Sequence, residues 1–223
     1  MNSVTEQLLR EKLGQTYSKD CVLLLTDSSE FKILQNKIAD EDLYTEDDKY
    51  GKENEPHITI LYGLLPGEYK TEQVEDILNS YIRIQYYLKG VSLFENENNP
   101  YDVVKIDVVS DDLFNINDAL KELPYQNDYP DYHPHMTLAY VKKGTGKKYI
   151  EPFKNLVGEV AYRVKLSHAD GTFQVFDLTD NRIQQEVTTS AMIAAPPGDY
   201  SFYQKDKEKA DNNGVEVIRP QLP

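Results

Sequence analysis

The chain has 223 residues, long enough for one sizeable domain or two small lobes, with 39% apolar residues to build a core and a formal charge of -14. That charge excludes a protein that grips long nucleic acid through many phosphates, because such proteins rely on clustered Lys and Arg that release counterions. A small anionic ligand in a local pocket is still allowed. One cysteine, Cys21 in "CVLLL", excludes an intramolecular disulfide and reads as a plain buried residue; no run reaches the roughly 18 apolar residues of a membrane span. A soluble, cytoplasmic protein that touches no membrane is the expectation.

In chain order, "SVTEQLLREKLG" predicts a short N-terminal helix closed by Gly14, set apart as residues 1–19. "DCVLLLT" predicts a buried strand, and Ser28 or Ser29 caps a helix that places Phe31, Leu34 and Ile38 on one face. The acidic run "ADEDLYTEDDKYGKENE" predicts a solvated loop. "HITILYG" then alternates as a strand, with His57, Thr59 and Leu61 on one side and Ile58, Ile60 and Tyr62 on the other. "TEQVEDILNSYI" predicts a helix capped by Thr71, with Val74, Ile77, Leu78, Tyr81 and Ile82 on its apolar stripe.

The second half repeats this order. "YDVVKIDVV" puts Val104, Ile106 and Val108 on one strand face, and "SDDLFNINDALKEL" carries Leu113, Ile116, Leu120 and Leu123 at helical spacing. A tyrosine-rich loop leads into "HPHMTLAYV", where His135 and Thr137 share a face and Met136 and Leu138 share the other. Tyr62 and Tyr140 fall on the apolar faces by the same parity and are expected in the core. "EVAYRVKLSHADGTFQVFDL" predicts a hairpin turning at Asp170-Gly171, with Val160, Tyr162, Val164 and Leu166 inward, Arg163 and Lys165 outward, and His168 exposed near the turn. The expected organisation is a two-lobed domain over 20–180, with lobes of roughly 20–90 and 91–180, and a loosely docked tail over 181–223. The tail's "AMIAA" and "VEVI" are candidate partner contacts, and most of the 17 tyrosines read as amphipathic surface residues.

Pro-His-x-Thr thus occurs twice, at matching places about 80 residues apart, a spacing that suits two half-domains. Chance placement of one histidine in such a setting is roughly one in 400, so the pair points to function. Imidazole titrates closest to neutral, so two of them can supply a base and an acid at one pH, and a phosphodiester needs both. The threonine two residues on can donate its hydroxyl to a phosphoryl oxygen. His133, two residues before His135, is a further candidate substrate contact on a loop.

"HITI" and "HMTL" resemble the paired His-x-Thr-x signature of the 2H phosphoesterase superfamily, which includes 2′-5′ RNA ligase-like proteins and cyclic phosphodiesterases. The resemblance covers roughly residues 20–180 and implies an α+β, bilobal fold of duplicated strand-helix-strand lobes, with antiparallel sheets around a central cleft. It implies metal-independent cleavage of a small nucleotide or oligonucleotide without a cofactor, with His57 and His135 as acid and base in an order left open and Thr59 and Thr137 on the phosphate. "EPHITILYGL" and "YDVVKIDVV" also resemble phage-encoded members, among them anti-CBASS enzymes that degrade cyclic oligonucleotide immune signals, which would place the protein in a host cytoplasm. Two other readings compete. Asp131, His133 and His135 offer metal donors, although threonine is a poor zinc ligand and its repetition is then unexplained. A catalytically idle nucleotide sponge or virion component of the same fold is the second, although binding alone needs no paired acid and base.

Overall fold

The computed structural model describes residues 19–179 except 47–49, 96 and 128–130. The expected N-terminal helix and the tail from 181 lie outside the described residues. Eight strands run β1 (Asp20–Leu25), β2 (His57–Leu64), β3 (Ile84–Phe94), β4 (Tyr101–Val109), β5 (His135–Lys142), β6 (Glu151–Ala161), β7 (Arg163–Ser167) and β8 (Phe173–Asp177). Three helices accompany them: α1 (Ser29–Asn36), α2 (Thr71–Leu78) and α3 (Asp111–Leu120). Two antiparallel four-stranded sheets result, ordered β2-β1-β7-β8 and β5-β4-β3-β6. The α+β architecture with two antiparallel sheets is the expected one.

Local sequence explains most elements. Ser28 Oγ accepts from Phe31 N at 3.2 Å to start α1, and Ser110 Oγ accepts from Leu113 N at 3.2 Å to start α3. Thr71 is the first helical residue of α2 rather than its cap; there Gln73 Oε1 accepts from Lys70 N at 2.8 Å. That helix stops at Leu78, so Tyr81 packs only partly and Ile82 is exposed. Val22 and Leu24, Val104 and Ile106, and Leu113, Ile116 and Leu120 are all fully buried in one apolar cluster that spans both sheets.

The lobes interleave, and the expected split near residue 90 does not match the sheets. β3 follows the first half in the chain yet pairs with β4 of the second sheet, and β7 follows the second half yet pairs with β1 of the first. The first half therefore lends β3 to the second sheet, and the second half lends β7 and β8 to the first. The hairpin expectation changes with it. Val164 and Leu166 face the core, but Val160 and Tyr162 are exposed, because β6 ends at Ala161 and the chain passes to the other sheet.

The loops preceding the motif strands also cross over. Tyr44 N donates to Tyr140 O, Tyr140 N to Gly51 O and Glu53 N to Leu138 O, so the acidic loop lies along β5 instead of standing free in solvent. Its Asp42 is buried, held by Tyr149 Oη and by Lys148 Nζ at 2.6 Å, and these donors keep its carboxyl below the usual range. In the same manner Gln126 N donates to Gly63 O and Leu65 N to Pro124 O along β2. Both motif strands are sheet edges, and these loops cover their free backbone groups.

Candidate active site

β2 and β5, the two edge strands that begin with the motif histidines, lie in contact and bring the halves of the site together. Each strand carries a bulge at the same place. Thr59 opposes Leu23 and Leu61 opposes Val22, leaving Ile60 unopposed; Thr137 opposes Lys105 and Ala139 opposes Val104, leaving Leu138 unopposed. A bulge puts one extra residue in the strand and reverses the parity beyond it. Leu61 and Ala139 are consequently buried, while Tyr62 and Tyr140 are half-buried on the side of the histidines, not in the core as simple alternation predicts.

The unopposed carbonyls are bonded from the opposite half. Asn117 Nδ2 on α3 donates to Ile60 O at 2.6 Å, and Gln35 Nε2 on α1 donates to Leu138 O at 2.9 Å. Each motif strand is thereby held three residues past its histidine by a helix of the other repeat. Tyr132 Oη adds a bond to Thr59 O at 3.0 Å.

The histidines repeat one arrangement. His57 Nδ1 is 2.7 Å from Glu55 O, and His135 Nδ1 is 2.7 Å from His133 O. A carbonyl can only accept, so Nδ1 carries the hydrogen in both rings and Nε2 is left for chemistry. His135 is held below the ordinary imidazole value, first by desolvation and then by the charges of Lys105 and His57. Against this act the bond to His133 O and the charge of Asp107. His133 itself contributes its backbone oxygen, and its side chain is exposed. Asp131, His133 and His135 do not form a metal-type cluster, and among the described residues no group of three or more His, Cys, Asp or Glu stands together to hold an ion.

Other polar residues differ from expectation. Lys165 does not face water: it is 3% exposed, with Nζ 2.7 Å from Glu55 Oε2 and 4.8 Å from the centre of the Phe173 ring. Its strand face is the one that carries Thr59, since Lys165 and Thr59 both oppose Leu23. His168 is bonded through Nδ1 to buried Asp20 at 2.9 Å, at the end of β2 remote from His57, since Asp20 opposes Leu64. Cys21 is half-buried, and desolvation pushes its thiol up to about 12. Tyr44, Tyr50, Tyr101 and Tyr140 pack ring against ring at 4.8–5.3 Å, mutual contact that reading them one by one as surface residues misses. The sequence did carry a signal for Lys105, a lone cation amid "YDVVKIDVV" on the face opposite Val104 and Ile106.

No helix among the described residues is long and apolar enough to cross a membrane. The solved structures similar to this chain include the following three. The protein TT0787 of Thermus thermophilus aligns at 16% identity and a TM-score of 0.43, over 72% of this chain and 98% of its own. Kluyveromyces marxianus Usb1, solved with uridine monophosphate, aligns at 11% and 0.46 over 73% and 99%, and Escherichia coli LigT, solved with 3′-AMP, at 13% and 0.41 over 72% and 95%. No curated protein matches the sequence. The model of the 2′-5′ RNA ligase superfamily matches residues 22–165, well over half of the chain and both His-x-Thr motifs, and the chain belongs to that superfamily of phosphodiesterase-type, two-histidine enzymes.

Proposed function

We propose that the protein is a metal-independent phosphodiesterase that cleaves a short ribonucleotide phosphodiester between His57 and His135. The observation that carries this reading is the matched pair of 2.7 Å contacts from Nδ1 to the carbonyl two residues earlier, which gives both rings the same tautomer. His135, kept neutral by its desolvated setting, takes the proton of the attacking oxygen at Nε2. His57 then delivers a proton from Nε2 to the departing oxygen. Thr59 and Thr137, one strand step beyond each histidine on the same face, donate to the non-bridging oxygens on which charge grows. His133, exposed at the rim, contacts the nucleotide beyond the phosphate. The net charge of -14 favours a short substrate over folded RNA. Cyclic oligonucleotide signals of bacterial immunity, 2′,3′-cyclic ends and 2′-5′ linkages are the members of this class to try first, in the cytoplasm where such nucleotides occur.

The test is chromatography of such a panel after incubation in EDTA with the wild-type protein, His57→Ala and His135→Ala. Cleavage that survives EDTA and falls by about 10²–10⁴ in each variant is expected. Tight binding with every substrate intact would instead make the protein a nucleotide sponge.

A further inference from the structure

A buried lysine stands in each half of the site, in the cross-strand row of that half's motif threonine. Lys105 on β4 directly opposes Thr137, and Lys165 on β7 opposes Leu23, which opposes Thr59 on its other side. The two are 6% and 3% exposed. Lys105 Nζ is bonded to Asp107 Oδ1 and, at 2.7 Å, to Ser92 Oγ; Lys165 Nζ is bonded to Glu55 Oε2 at 2.7 Å. Each ammonium also lies over a partly exposed phenylalanine ring, Phe94 at 4.3 Å and Phe173 at 4.8 Å, and Phe94 stands edge-on to His135 at 4.8 Å.

These pairs are adjacent to the catalytic imidazoles through their carboxylates. Asp107 is the cross-strand neighbour of His135, and the backbone oxygen of Glu55 is the one that orients His57. Withdrawing an ammonium from water is costly, and its three donors call for more than one carboxylate. The partners are unequal in freedom. The lysine side chains are 7% and 4% exposed, whereas Asp107 and Glu55 are 38% and 39% exposed and can turn out to solvent. A fixed, buried cation facing a carboxylate that is free to leave is the arrangement of an anion site held by a place-holder.

We propose that Lys105 and Lys165 bind the phosphate of the ligand from the two halves of the site, and that this phosphate displaces Asp107 and Glu55. The assignment rests on the phosphodiesterase reading and adds to it a positive charge that stays in place through the proton transfers, beside two neutral threonine hydroxyls.

Calorimetric titration of inorganic phosphate at pH 8 tests it on the full chain, comparing wild type with Lys105→Met, Lys165→Met, Asp107→Asn and Glu55→Gln, each checked for folding by thermal melting. Each lysine variant should bind phosphate about tenfold more weakly, as loss of a charged hydrogen bond implies, and Lys105→Arg should restore most of the loss. Each amide variant should bind it more tightly, because its lysine is released. Unchanged phosphate affinity in folded Lys→Met proteins would overturn the assignment, and if those proteins fail to fold, amide variants that bind no tighter would overturn it alone. The two readings fail separately: phosphate binding that obeys the lysines without any nucleotide turnover sinks only the phosphodiesterase, and turnover that needs both histidines with phosphate binding indifferent to the lysines sinks only the lysine assignment.

Discussion

His57 and His135 have the same ring nitrogen fixed by a backbone oxygen, so the different roles proposed for them rest on surroundings rather than orientation. Around His135, desolvation and the charges of Lys105 and His57 outweigh the bond to His133 O and the charge of Asp107, and its value lies below 6.5. A base must be unprotonated to work. The acid limb of the kcat/KM profile should therefore fall below pH 6.5, and Lys105→Met should move that limb upward by removing a repelling charge. A limb at or above 6.5 in the wild type would refute this ordering. At this scale the shared face of His57 with Thr59 and of His135 with Thr137 was legible in the sequence, because strand parity holds over the first three residues of each motif. Lys165 was not, because an outward position on a strand says nothing about what lies across from it; here Glu55 and Phe173 cover it.

At the scale of elements, the bulges at Ile60 and Leu138 and the amides that bond them hold each histidine strand in register. Asn117 is almost wholly buried, so Asn117→Ala leaves Ile60 O without its donor and should cost about 1–3 kcal/mol, a fall in Tm of roughly 2–4 °C for each kcal/mol. Because the same bond positions β2, kcat should fall as well, by more than Tm alone explains at a temperature where the variant is folded. Gly63 has φ of 119°, and a Cβ there would lie 2.3 Å from Gln126 O, where the crossing loop meets β2. Gly63→Ala should accordingly cost at least about 1–3 kcal/mol in a melting experiment, more than substitution at Gly67, where a Cβ meets nothing within 4 Å. Helix stripes such as Leu113, Ile116 and Leu120 were readable from spacing, whereas a bulge is a property of pairing and leaves no mark on one strand's periodicity, so Tyr62 and Tyr140 were misplaced.

For the molecule as a whole, duplication was legible in the order of strand, helix, loop and motif, but the exchange of β3 and β7 was not, since which sheet either strand joins depends on contacts remote in sequence. The exchange has a consequence for fragments. Residues 20–90 hold only the part of β3 up to Gly90 and lack β7 and β8, so the first sheet loses half its strands, and that fragment should show no cooperative melting or dispersed NMR spectrum; an independently folded fragment would contradict the interleaved core. Interleaving also makes each motif strand depend on the other half, which is how two distant copies of Pro-His-x-Thr come to lie on contacting strands, where the proposed reading has them serve one phosphate. The most direct test of that shared use is the pH dependence of kcat/KM for wild type, His57→Ala and His135→Ala on whichever substrate the panel identifies. The account predicts a bell for the wild type, loss of the acid limb in His135→Ala and loss of the basic limb in His57→Ala, each with a large drop in rate. The same bell persisting in either variant would contradict it.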